Sequence, residues 1–267
     1  MYKIGWFSTG RGTGSRSLLK TIANSIKSGD IKAQISFVFC NRERGQTEET
    51  DTFLDQVESY GIPLVCLSSK KFRSQLNTDQ QQYRRIDYDR RVMELIESFK
   101  TDICVLAGYM LIVGPEMCQR YDILNLHPAL PDGPKGTWRD VIWELIRRKA
   151  IKTGVMMHLA IPEVDEGPPV TYCEFSIRGE PFDKYWKEME GLSIEDVKAQ
   201  QGENNALFKL IREEGVKREQ PLIAATMKAF SEGRVRIENG KVKDEKGNTV
   251  EGYSLTKDIE AQLKKVP

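Results

Sequence analysis

The chain is predicted to be an α/β protein: a Rossmann-like, mostly parallel twisted sheet with helices on both faces. Three observations predict it. Short apolar runs alternate with helical stretches through the first half of the 267 residues. The runs are apolar along their whole length rather than at alternate positions, as strands covered on both faces are. A glycine-rich turn links the first run to the first helical stretch, as expected at a strand-to-helix junction in such sheets.

Residues 3–8 form the first strand, followed by the turn Gly10-Arg11-Gly12-Thr13-Gly14. Leu18, Leu19, Ile22 and Ile26 then recur at helical spacing until Gly29. A strand is expected over 35–40, a helix over 50–60 closed by Gly61, and a strand over 63–67. A long helix carries Tyr88, Val92, Leu95, Ile96 and Phe99 on one stripe and ends near Phe99. Residues 103–107 and 123–126 supply further strands. Right-handed crossovers then put the loops after the strand C-termini along one edge, where such sheets bind ligands.

The character changes after Pro128. Residues 128–136 hold three prolines and two glycines and read as a loop. A helix follows over 137–149 with Thr137 as its N-cap, then strands over 153–160 and 169–177. Residues 181–201 are polar with interspersed aromatics. One helix runs to Glu214, and a second, opened by Pro221, covers 221–232. Asn239-Gly240 and Lys246-Gly247-Asn248 mark two hairpin turns, so a C-terminal helix and hairpin extension is expected.

Forty basic and 39 acidic residues leave a net charge of +1, which gives no global field for nucleic acid or a membrane surface. The N-terminus enters an apolar strand directly, without the layout of a signal peptide, so a cytoplasmic location is expected. Cys40, Cys66, Cys104, Cys118 and Cys173 are odd in number, far apart and without a CxxC. They are expected to be free thiols in a reducing compartment. Two histidines in separate strands make a poor ligand set, so no metal site is expected.

Those two histidines, His127 and His158, are the chain's only imidazoles. In Leu124-Asn125-Leu126-His127-Pro128, alternation puts Asn125 and His127 on one face of a strand that Pro128 terminates. An amide and an imidazole at a strand end suit an oxyanion; a histidine that only hydrogen-bonds a loop fits the pattern equally. His158 is expected to be a half-buried structural residue. Asp165, in Val164-Asp165-Glu166-Gly167-Pro168, is either an Asx-turn residue or a carboxylate held rigidly beside a histidine. Gly12, Thr13, Gly14 and Ser15 at a helix start suit a phosphate, with Arg11 and Arg16 nearby. The turn is neither the dinucleotide fingerprint nor a Walker loop.

Taken in order, five segments resemble the folate-dependent formyltransferases: Gly12-Thr13-Gly14-Ser15, Leu106-Ala107-Gly108-Tyr109-Met110, Asn125-Leu126-His127-Pro128, Gly154-Val155-Met156-Met157-His158 and Val164-Asp165-Glu166-Gly167-Pro168. The resemblance implies the formyltransferase fold, with a catalytic core over 1–177, an insertion over 178–219, and a helix, hairpins and terminal helix over 220–267. It implies Asn125, His127 and Asp165 as catalytic residues, and a folate pocket at Leu106, Met110, Ile112, Val113, Ala160 and Val164. The implied reaction moves a formyl group from 10-formyltetrahydrofolate, a co-substrate, to an amine. The amine is expected to be a phosphorylated small molecule, glycinamide ribonucleotide of purine biosynthesis first, with a homodimer as the possible assembly.

Several departures bear on the acceptor. Leu111 replaces an arginine, the 131–138 loop differs from the family's, and the glycine turn is longer. The family's ribose-contacting glutamate aligns near Val216, with Glu213 and Glu214 beside it. Alternatives are another amine such as an amino sugar, a formyltetrahydrofolate hydrolase, or a non-catalytic phosphometabolite-binding protein. Hydrolases of the family often carry an added N-terminal domain, whereas the first strand here starts at residue 3, which favours transfer. Phe182, Tyr185 and Trp186 are expected to be local core rather than a partner surface.

Overall fold

The computed structural model describes residues 1–75 and 81–265. Strand β1 (Tyr2–Ser8) leads into α1 (Thr13–Lys27), β2 (Ala33–Cys40), α2 (Glu48–Ser59), β3 (Leu64–Cys66), α3 (Ser69–Gln75) and α4 (Gln81–Ile96). Then come β4 (Ile103–Leu106), α5 (Pro115–Arg120), β5 (Ile123–His127), α6 (Trp138–Arg147), β6 (Lys152–Leu159) and β7 (Pro169–Ser176). The remainder is α7 (Asp183–Glu188), α8 (Ile194–Gln201), α9 (Ala206–Ser231), β8 (Val235–Glu238), β9 (Lys241–Asp244), β10 (Tyr253–Ser254) and α10 (Thr256–Leu263).

The main sheet has the order β10-β7-β6-β5-β4-β1-β2-β3. Strands β1 to β5 pair in parallel, as expected, while β6 runs antiparallel to both β5 and β7. Trp6 and Phe7 show why the strands are apolar throughout. Trp6 belongs to one core cluster, with Leu19, Phe53 and Met227, and Phe7 to another, with Tyr88, Val92 and Met117. Each is fully buried, which stabilises the fold by about 2–3 kcal/mol per side chain.

A third apolar cluster lies beside the sheet. Trp143 and Ile146 of α6 meet Phe182, Trp186 and Phe208 there. The aromatics after β7 are therefore local core, and the Trp186 Nε1–H donates to the Ile177 carbonyl at 2.6 Å.

One expectation is corrected. The helix expected to end at Glu214 and the one expected from Pro221 are a single element, α9, which contains Pro221. Proline removes one backbone donor but does not break the helix, because apolar side chains anchor it on both sides. Leu207, Phe208 and Ile211 hold the first half; Leu222, Ile223, Met227 and Phe230 hold the second. The expected division at 219/220 thus falls inside a helix, and residues 266–267 of the expected last segment lie outside the described residues. Asn239-Gly240 does make the β8–β9 hairpin, with φ of 51° and 69°. The turn at Lys246-Gly247-Asn248 reverses the chain as expected, with an antiparallel bridge from Lys243 to Thr249 and the Val250 N–H donating to the Val242 carbonyl at 3.0 Å, before the chain returns to the main sheet as β10, parallel to β7.

Candidate active site

The C-terminal ends of β4 and β5 open into a cavity of about 570 Å³. Its walls include Asn125, His127, His158 and Asp165, together with all six residues expected to face folate: Leu106, Met110, Ile112, Val113, Ala160 and Val164. Met110, Ile112 and Val164 are 57%, 59% and 54% exposed, an apolar rim with nothing packed on it among the described residues.

The polar end is built by strand register. In the antiparallel β5–β6 pair Asn125 lies opposite His158, so both side chains project from one face. Asn125 Nδ2 sits 3.2 Å from His158 Nε2, and His158 Nδ1 sits 3.2 Å from the Leu159 carbonyl oxygen. That carbonyl can only accept, so Nδ1 carries the hydrogen and Nε2 accepts from the amide. Burial holds the His158 pKa below its ordinary value, which keeps the ring neutral.

Asp165 reaches both rings. Its Oδ1 lies 3.6 Å from His158 Nε2 and its Oδ2 lies 3.8 Å from His127 Nδ1. The aspartate has φ +57°, a left-handed conformation in which Asp and Asn are among the few tolerated residues. Gly167 fixes this turn on β6: a Cβ there would come 1.6 Å from the Leu159 carbonyl oxygen. His127, 3% exposed, also has Nε2 3.0 Å from the Pro134 carbonyl oxygen. Lys135 pairs with Glu166 at 3.0 Å, joining the loop after β5 to the Asp165 turn.

The expected trio Asn125, His127 and Asp165 is therefore brought together, and His158, buried and hydrogen-bonded by its neighbours as a structural residue would be, adjoins Asn125 and Asp165. Its signals were scarcity, as one of two histidines, and its place in the Gly154-Val155-Met156-Met157-His158 segment. The expected phosphate turn opens α1. Gly12 is the N-cap of α1 with φ 80°, Thr13 and Gly14 are exposed, and Ser15 is buried against Gly108. None of the four lines the cavity, although Leu18, one turn further along α1, does. Arg212 and Glu219 of α9, paired at 2.6 Å, also line it. Arg212 stacks on Trp138 with 4.8 Å to the ring centroid. Glu213, Glu214 and Val216 do not line the cavity, and Glu214 pairs with Lys217 and Arg218.

An amide, two imidazoles and a carboxylate beside an apolar rim, at the carboxyl edge of a parallel sheet, define an α/β enzyme with acid–base groups poised in a cleft. The chain belongs to the formyl transferase family, whose model matches residues 11–181. The phosphoribosylglycinamide formyltransferase of Haemophilus influenzae is 28% identical over 242 residues, which span 90% of this chain and 92% of that protein. The Escherichia coli enzyme of the same name is 26% identical over 203 residues, spanning 74% of this chain and 82% of its own.

Among solved structures, the phosphoribosylglycinamide formyltransferase of Coxiella burnetii superposes with a TM-score of 0.62 at 19% identity, covering 95% of this chain and 98% of that one. A formyltetrahydrofolate deformylase from Burkholderia mallei gives 0.60 at 17% identity, covering 90% of this chain and 69% of that one. At these identities both bear on the fold alone. No helix among the described residues is long and apolar enough to cross a membrane.

Proposed function

We propose that the chain transfers a formyl group from 10-formyltetrahydrofolate to the amine of a phosphorylated small molecule, glycinamide ribonucleotide first among candidates. The observation that carries this reading is Asp165 set between His127 and His158, next to Asn125, at the inner end of an unpacked apolar rim. A flat, largely apolar ring system fits over Met110, Ile112 and Val164 and would bring its substituent to the polar end.

In this reading, Asn125 Nδ2 and the His127 imidazole donate to the formyl oxygen as it gains negative charge during attack by the amine. His127 turns its Nε2–H from the Pro134 carbonyl to that oxygen. Asp165, through one water, accepts the proton that the amine loses and returns a proton to the departing folate nitrogen. The new C–N bond forms as the old one breaks, with no net change of charge. Backbone N–H groups at Gly12 to Ser15, outside the cavity but one helical turn before Leu18 at its wall, take the acceptor's phosphate, and Glu219 its hydroxyls. The reaction centre then lies within 1–177, completed by a side chain of α9. A cytoplasmic location is part of this reading.

The test supplies 10-formyltetrahydrofolate with glycinamide ribonucleotide, then a panel of amines, then no acceptor, each beside His127→Ala. Turnover with glycinamide ribonucleotide that falls by about 100-fold or more in the variant supports the reading. Turnover without any amine would make the protein a hydrolase, and turnover unchanged in the variant would remove His127 from the chemistry.

A further inference from the structure

We propose that a cavity walled by the 130–134 loop, separate from the catalytic one, is an effector site for a primary amine carried on an apolar, ring-sized body. The cavity measures about 390 Å³. The loop after β5, the end of α6, strands β6 and β7 and the segment before β10 enclose it, and no residue lines both cavities. Pro134 is part of its wall, and the carbonyl of the same residue lies 3.0 Å from His127 Nε2. An amine seated there braces Pro134 and keeps His127 on that carbonyl, away from the formyl oxygen.

The charges around the cavity set the sign of the ligand. Lys152 is paired with Glu174 at 2.9 Å, and Arg148 shares Glu144 with Arg147, each at 2.7 Å. Asp132 and Glu251 line the cavity from two separate loops and form no ion pair among the described residues. Four carboxylates (Asp132, Glu144, Glu174, Glu251) thus stand against three cations (Arg147, Arg148, Lys152), a balance that one positive charge closes. No group of His, Cys, Asp and Glu among the described residues could hold a metal ion, so the cation called for is organic. The rest of the wall is apolar at Leu130, Leu145 and Ala150, with the ring of Tyr172 beside them. An apolar body fits such a wall, and an ammonium gains from an aromatic ring.

Thr153 is an independent pointer. It lines the cavity from β6, is 3% exposed, and its Oγ1 has no hydrogen-bond partner among the described residues. A hydroxyl buried without a partner destabilises the empty protein, and an ammonium N–H at that wall would satisfy it.

The inhibitory consequence rests on the formyl-transfer reading; the site itself does not. Calorimetric titration of the full chain with phenethylamine is expected to show one saturable site, and phenethyl alcohol, the neutral analogue, is expected to show none. Asp132→Asn/Glu251→Gln, at exposed positions, should weaken the amine by about tenfold. Thr153→Val should bind it more weakly while melting no lower than the parent. Asp165→Asn should bind it as the parent does. Absence of saturable binding, equal binding of the alcohol, unchanged affinity in the double variant or in Thr153→Val, or a loss confined to Asp165→Asn would each overturn the site. In the formyl-transfer assay the amine should lower kcat at unchanged KM for both substrates, and should do nothing to the double variant. A rise in the acceptor KM alone would make it an acceptor mimic and end the effector role. A parent without turnover would sink the formyl reading, and the binding arm would still decide the site.

Discussion

The side-chain amide of Asn125 donates to Nε2 of His158 across 3.2 Å, and this contact sets which way the amide points. With Nδ1–H committed to the Leu159 carbonyl and the ring held neutral by burial, Nε2 offers only a lone pair. A flipped amide would set its carbonyl oxygen against that lone pair. His158 is thus a positioning residue for Asn125, while β5–β6 pairing supplies the distance. His158→Leu removes the acceptor and lets the amide rotate. A fall in kcat of about tenfold, with KM for either substrate changed little, is expected from steady-state kinetics, since one misaligned oxyanion donor is worth up to 3–4 kcal/mol. Equal losses in kcat and in substrate affinity would instead mean that the site had collapsed.

Asp165 separates charge from conformation unusually well. Asparagine tolerates the left-handed φ of +57° almost as well as aspartate, so Asp165→Asn should keep the turn and the melting temperature. It loses the carboxylate between the two rings. General acid–base groups contribute about 10²–10⁴ in rate, and a drop in kcat of that size is expected at unchanged folate affinity. A variant with near-normal kcat would show that protons travel another way.

How much of this was legible beforehand depends on where each signal lay. Asn125, His127 and the strand-ending Pro128 are neighbours in sequence, so alternation and proline chemistry alone placed them at a sheet edge. Asp165 was legible through its turn residues. His158 was not, because what brings it to Asn125 is the register between two strands that are distant in sequence. Glu219 and Arg212 were missed for a related reason. Pro221 suggested a helix start, whereas tertiary packing carries α9 through it, and the helix phase of its first half followed from that.

Gly167 is the point where the Asp165 turn touches the sheet. An added methyl would lie 1.6 Å from the Leu159 carbonyl oxygen, a main-chain atom that also accepts from His158. The strand cannot give way without disturbing both β5 and β7, so the turn must move instead. Gly167→Ala should cost about 2–4 kcal/mol in denaturant unfolding or reduce kcat by a comparable factor if the turn swings outward. Unchanged unfolding together with unchanged kcat would mean that the approach is looser than its geometry requires.

The depressed pKa of His158 also makes stability depend on pH. Unfolded, the imidazole titrates near its ordinary value of 6.5; folded, burial lowers that value, with His127 adding to the shift and Asp165 opposing it. Between the two values the unfolded chain binds more protons than the folded one, so stability rises with pH there. The neutral ring's full benefit is present above about pH 6.5 and is lost as pH falls through the folded value. Asp89 acts with the opposite sign at lower pH: burial raises its pKa above the ordinary 3.8, so stability is regained as pH falls towards that value. The two effects are separable by mutation. Denaturant midpoints measured from pH 7.5 down to pH 5 (a window chosen around the ordinary histidine value of about 6.5) should decline in the parent protein and stay flatter in His158→Leu. Parallel curves for the two proteins would show that His158 titrates alike in both states, and would remove the argument for a neutral ring beneath Asn125.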